Sequence, residues 1–304
     1  MFDGKESIEF AEVFTPDRII CVAGVLLLAR WLLTTSLGRK ALTDSPSRRN
    51  NMPLYAPLIP LLIWFGPVPL ASMIAQKLWP DLPPWQDVFL NECIFIIGAI
   101  VTIVVVLILA RTFFARRLKG FGLGPSGLNV KTIAKDFGAA CVNLLAVWPL
   151  VMAAMILTIS FMKLITHQEY KMERHQELNL IIEYPELPLR ILIVIVAVLV
   201  APVLEEMLFR GLVQTTIRSL FESQHSMSGN SESNVEHSGL RIWLAIVITS
   251  MFFALMHANA GHWPALFVLG VCMGYTYEKS GSLLRSIFIH ALFNATTIIA
   301  TLSQ

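Results

Sequence analysis

Residues 189–210 read Leu-Arg-Ile-Leu-Ile-Val-Ile-Val-Ala-Val-Leu-Val-Ala-Pro-Val-Leu-Glu-Glu-Met-Leu-Phe-Arg. Between Arg190 and Glu205 there is no charged side chain. Crossing a hydrocarbon core of about 30 Å takes roughly 20 such residues at about 1.5 Å each, so this stretch predicts a membrane-spanning helix. The run then ends on Glu205, Glu206 and Arg210. Ionisable groups at membrane depth cost kcal/mol each unless they face a polar cavity, and by default they mark function.

The rest of the chain agrees with a membrane setting. Hydrophobic residues make up 55% and charged residues only 14%, and the mean hydropathy is +0.66, outside the ordinary soluble range. Seven further apolar stretches join the first, giving eight spans at about 19–37, 54–76, 88–114, 137–163, 189–209, 241–258, 263–278 and 283–301. The expected fold is all-α, a polytopic transmembrane bundle in one structural unit. Residues 1–188 supply spans 1–4 and an amphipathic connector, and residues 189–304 supply spans 5–8. The second span carries Pro53, Pro57, Pro60, Pro67 and Pro69, so it should be kinked or partly re-entrant. A net charge of +2 implies neither nucleic acid nor another polyanion as partner. Cys21, Cys93, Cys141 and Cys272 all lie in apolar stretches without a C-x-x-C pair and read as small buried hydrophobes. Met1 to Asp17 is acidic and lacks the basic start of a signal peptide, so the first span should remain as an anchor.

Loop charges orient the bundle. Loops after spans 1, 3, 5 and 7 hold 15 Lys and Arg, against 7 on the other side, which places the former in the cytoplasm and both termini outside. The protein is thus expected to be a multi-pass protein of a cell membrane. Residues 164–188 alternate charges around Leu and Ile, which suits an amphipathic helix on the outer face or a solvated loop. Residues 222–239 form a polar connector rich in Ser, Asn and Gly.

Two other spans carry titratable groups, in Phe253-Ala254-Leu255-Met256-His257 and His290-Ala291-Leu292-Phe293-Asn294. A hairpin with its tip at 222–239 puts Glu205 and His257 level, roughly 24 Å from the tip, while His290 is about 10 Å into the last span. If the clusters meet, the polar face of 206–221 (Arg210, Gln214, Thr215, Arg218, Ser219) belongs to a helix projecting into the cytoplasm, with a cavity opening on that side. Glu206 and Arg210 stand at i and i+4 and can neutralise each other, which makes Glu206 structural. Glu205 points about 100° away and is the candidate general base. His290 and Asn294 share one helix face, and His257 comes in from span 6. Such a set can hold a divalent metal such as zinc, through His257 and His290, whose water Glu205 deprotonates. Alternatively Glu205 activates water directly while His and Asn donors stabilise an oxyanion. Each group also has a bland reading: a snorkelling acid, a core histidine, or interhelical hydrogen bonding for His290 and Asn294. Asn259 and His262 read as interfacial. Gly270 and Gly274 read as a close helix crossing without chemistry.

The Glu-Glu-x-x-x-Arg, Phe-x-x-x-His and His-x-x-x-Asn motifs, in this order on separate helices, resemble the CAAX protease and bacteriocin-processing (Abi) family of type II CAAX endopeptidases. Pro202, Phe209-Arg210-Gly211 and the turn Tyr277 to Leu283 match as well. The resemblance covers about 189–301. It implies an eight-helix intramembrane endopeptidase with Glu205, His257, His290 and Asn294 catalytic and Glu206 with Arg210 supporting. The implied partners are the bilayer and a membrane-embedded or lipidated peptide or protein, such as a prenylated CAAX protein. A non-proteolytic scaffold of the same fold is the alternative. A proton-coupled transporter ranks third, because the first half does not repeat these motifs.

Overall fold

The computed structural model describes residues 16–46, 50–124, 129–170, 172, 176–226 and 234–303. The chain before residue 16 and the centre of the polar connector, 227–233, therefore lie outside the described residues.

Helices dominate, with no strand among the described residues. The first is α1, Pro16–Thr34. It is followed by α2, Leu58–Phe65, and α3, Pro67–Leu78. These two are the expected Pro-rich span, broken at Gly66, where φ is −104° and ψ −81°. Pro67 can start a helix, since its missing N–H falls where none is needed, but it cannot continue the preceding one. Then come α4, Pro84–Phe113, and α5, Val130–Thr166, whose Asn129 cap accepts from Lys131 N at 3.1 Å. The amphipathic segment contains α6, Gln176–Glu183.

A long rod, α7, comes next. It runs as Leu187–Ile195, a π-helical turn Val196–Val200, Ala201–Glu206, a second π-helical stretch Met207–Gln214, and Thr215–Ser226. The last three helices are α8 (Asn234–Leu255), α9 (Trp263–Ser280) and α10 (Leu283–Leu302). Between α9 and α10, Gly281 takes φ +73° and ends α9 with a left-handed cap.

Five segments are long and apolar enough to cross a membrane: Leu58–Leu78, Pro84–Phe113, Val130–Thr166, Leu187–Glu222 and Leu283–Leu302. Ile19–Thr34 and Gly239–Leu255 are shorter apolar helices. Large side chains such as Leu62, Ile97, Leu157 and Phe161 point outward from the bundle, as they should where the solvent is lipid. Cys21 and Cys141 are exposed on this flank, contrary to the expectation of buried thiols. A small apolar side chain suits a lipid-facing position as well as a core. The main core joins the middle of α7 (Leu204, Met207, Leu208, Leu212) to Phe253 of α8, Leu269 and Met273 of α9, and Ile287 and Ile289 of α10. The charged residues of α7 are thereby held among apolar neighbours.

Candidate active site

Glu206 is fully buried and held from three sides. Arg210 Nη1 lies 2.5 Å from Glu206 Oε1, Ser286 Oγ donates to Oε2, and His290 Nδ1 is 3.2 Å from Oε1. The expected Glu206–Arg210 pair is present, with both side chains at 0% exposure. A buried ion pair repays its desolvation only when the remaining donors and acceptors are also engaged. Ser286 and His290 do this for the acid; on the base, the Gly270 carbonyl accepts from Arg210 Nη2 at 3.2 Å, while the buried Nε has no hydrogen-bond partner among the described residues.

Glu205 occupies a different environment. Its side chain is 27% exposed, and Oε2 is 3.9 Å from His290 Nε2, too long for a hydrogen bond. Glu206 accepts from His290, so Nδ1 carries the proton and Nε2 presents its lone pair toward Glu205. His290 stands between the two carboxylates.

His257 lies just past the end of α8 at Leu255 rather than within the helix, since its N–H bonds back to Ala254 O at 3.1 Å. Its Nδ1 is 2.8 Å from Phe253 O. A carbonyl only accepts, which places the proton on Nδ1 and the lone pair on Nε2. Phe253 spaces the site: its ring is 4.9 Å from that of His257 and 5.6 Å from that of His290, and Arg210 Cζ sits 4.4 Å over its face.

Glu205 and His257 line one cleft of about 490 Å³, with an apolar wall of Leu61, Trp64 and Phe65 from α2 and a polar edge of Glu177, Asn179 and Asn259. His290 lies one layer behind Glu205. Asn294 shares its helix face but is bonded to Ala197 O at 2.7 Å. The cleft extends from Glu205 toward α6 and the 256–259 turn, not toward the connector end where a cavity was expected. That end is filled. Arg210, Gln214, Thr215 and Arg218, expected on the polar face of a projecting helix, are buried. Gln214 Nε2 donates to Gly274 O at 3.2 Å and to Glu278 Oε1 at 2.9 Å, and Arg218 pairs with the other oxygen of Glu278. Donors every fourth residue on α7 thus meet acceptors every fourth residue on α9. The glycines permit the approach: a Cβ at Gly274 would lie 2.7 Å from Gln214 Oε1.

Among the described residues, no three of His, Cys, Asp and Glu converge as metal ligands do. Glu206 is already engaged, and the groups that could hold a divalent ion are the Nε2 lone pairs of His257 and His290 beside the Glu205 carboxylate. The spacing of motifs pointed to Glu205, Glu206, Arg210, His257 and His290 but missed Ser286; it placed Gln214 and Arg218 on a water-facing helix face and Glu278 in a matching turn, without their contacts. Ser286 continues the His290–Asn294 stripe by one turn toward the N-terminus, and Gln214 and Arg218 continue that of Arg210. Extending the His290–Asn294 stripe by four residues would have found Ser286.

A bundle of apolar helices thus encloses two carboxylates and two imidazoles beside a cleft, groups capable of acid–base chemistry. Residues 187–296 match the family model of the type II CAAX prenyl endopeptidases, Rce1-like. This segment is therefore similar to the CAAX proteases, and the long apolar helices make the protein a multi-pass membrane protein. No curated protein and no solved structure matched the chain.

Proposed function

We propose that the protein cleaves a peptide bond of a membrane-embedded or lipidated substrate, such as a prenylated CAAX protein, with a water activated by Glu205. The observation that carries this is the contrast between the neighbouring carboxylates: Glu206 is spent on Arg210, Ser286 and His290, whereas Glu205 lines the cleft and its Oε2 accepts no hydrogen bond among the described residues. Water in the cleft donates to Glu205, which takes its proton as the oxygen attacks the scissile carbonyl. The proton then passes to the leaving amine. His290, fixed by Glu206 through Nδ1, presents its Nε2 lone pair beside Glu205, where it can take up a proton, and the Nε2 lone pair of His257 on the same cleft can accept from the attacking water. The apolar wall of Leu61, Trp64 and Phe65 suits a hydrophobic substrate segment.

The test compares new protein termini in membranes of cells carrying wild type and Glu205→Gln at matched expression. Gln keeps the shape but removes the base, and its loss should reduce cleavage by about 10²-fold or more. Termini present only with wild type identify the substrates, and their persistence after chelation supports the metal-free route. Identical termini, with any cellular effect retained by Glu205→Gln, reject proteolysis and favour a scaffold.

A further inference from the structure

The π-helical turn of α7 places its hydrogen bonds five residues apart: Ala201 N–H bonds to Val196 O. The next rung would run from residue 202 to Ala197 O, but residue 202 is Pro202, which has no N–H. Asn294 Nδ2 of α10 takes the orphaned carbonyl instead, at 2.7 Å. Only the amide nitrogen can donate to a carbonyl, so the orientation of this side chain is fixed. The consequence reaches Glu205, three residues beyond Pro202. A turn that slipped from five-residue to four-residue spacing would rotate the rest of α7 by about 100° relative to Leu187–Ile195, enough to exchange the faces on which Glu205 and Glu206 lie.

We propose that Asn294 is a positioning residue: through the Ala197 carbonyl it locks the π-turn of α7 and so aims Glu205 into the cleft, rather than contacting the reacting carbonyl itself. This deepens the reading of Glu205 as the base and rests on it.

A double-mutant cycle tests it. Asn294→Ala, Pro202→Ala and the double variant are compared with wild type in detergent for thermal midpoint and for cleavage of a fluorogenic farnesylated CAAX peptide. Asn294→Ala should lower kcat per folded enzyme about 30-fold with KM nearly unchanged, the signature of a misplaced base. Pro202→Ala restores an N–H to the turn, so the double variant should recover both midpoint and kcat to within about threefold of Pro202→Ala alone. An oxyanion donor could not be replaced by a backbone N–H on another helix, so a folded double variant as slow as Asn294→Ala overturns the proposal. Should Asn294→Ala fail to fold, a folded double variant supports the tie and an unfolded one rejects it. A wild type that leaves the peptide uncut counts against this substrate class, while the midpoint cycle still decides whether Asn294 acts through Ala197.

Discussion

Two adjacent acids of the same type have opposite environments, and the cause lies in what each can reach. Glu206 faces Arg210 one turn along its own helix and Ser286 and His290 across from it. Glu205, rotated by one residue, meets the cleft. Removing Arg210 would leave Glu206 charged, buried and short of its main partner. Arg210→Met should therefore cost about 3–5 kcal/mol of stability, and Arg210→Met with Glu206→Gln should recover part of that, as thermal midpoints in detergent would report. The pairing was legible because i,i+4 spacing on a helix fixes who can meet. That Ser286 completes the shell was not, since a serine in an apolar span more often bonds its own backbone.

At the scale of elements, α7 and α9 pack closely because small residues let their backbones approach. Gly270 and Gly274 announce this in the sequence; the hydrogen-bonded ladder that the approach makes possible is visible only once both helices are in register. A methyl group at Gly274 would press on Gln214, which is pinned by Gly274 O and Glu278. At Gly24 it would lie 2.4 Å from the Leu145 carbonyl. A Cβ at Gly138 would meet nothing within 4 Å among the described residues. Gly274→Ala and Gly24→Ala should each lose about 1–3 kcal/mol, whereas Gly138→Ala should be neutral or gain up to about 1 kcal/mol from helix propensity. Equal midpoints for all three would count against this packing. The same scale corrects the hairpin expectation: polar residues along 210–218 looked like a face for water, yet polar side chains are also what two closely packed membrane helices use to bond each other.

For the whole molecule, loop charge predicts which side each end occupies. In a cysteine-free background, Ser303→Cys should react with an impermeant maleimide in intact cells and Lys119→Cys only after permeabilisation. The reverse pattern would invert the bundle. The sequence by itself determined that this chain is a helical membrane protein, roughly where its helices lie, and which charged groups are candidates for chemistry. Those conclusions come from local physics: apolar length, helical period and the cost of burying charge. Only the tertiary structure decided that Glu205 and His257 share a cleft extending toward α6, that His290 stands behind them between two carboxylates, and that Asn294 answers a carbonyl orphaned by Pro202. Each of these depends on the rotation and register of one helix against another, which close packing between distant segments sets and no local pattern encodes.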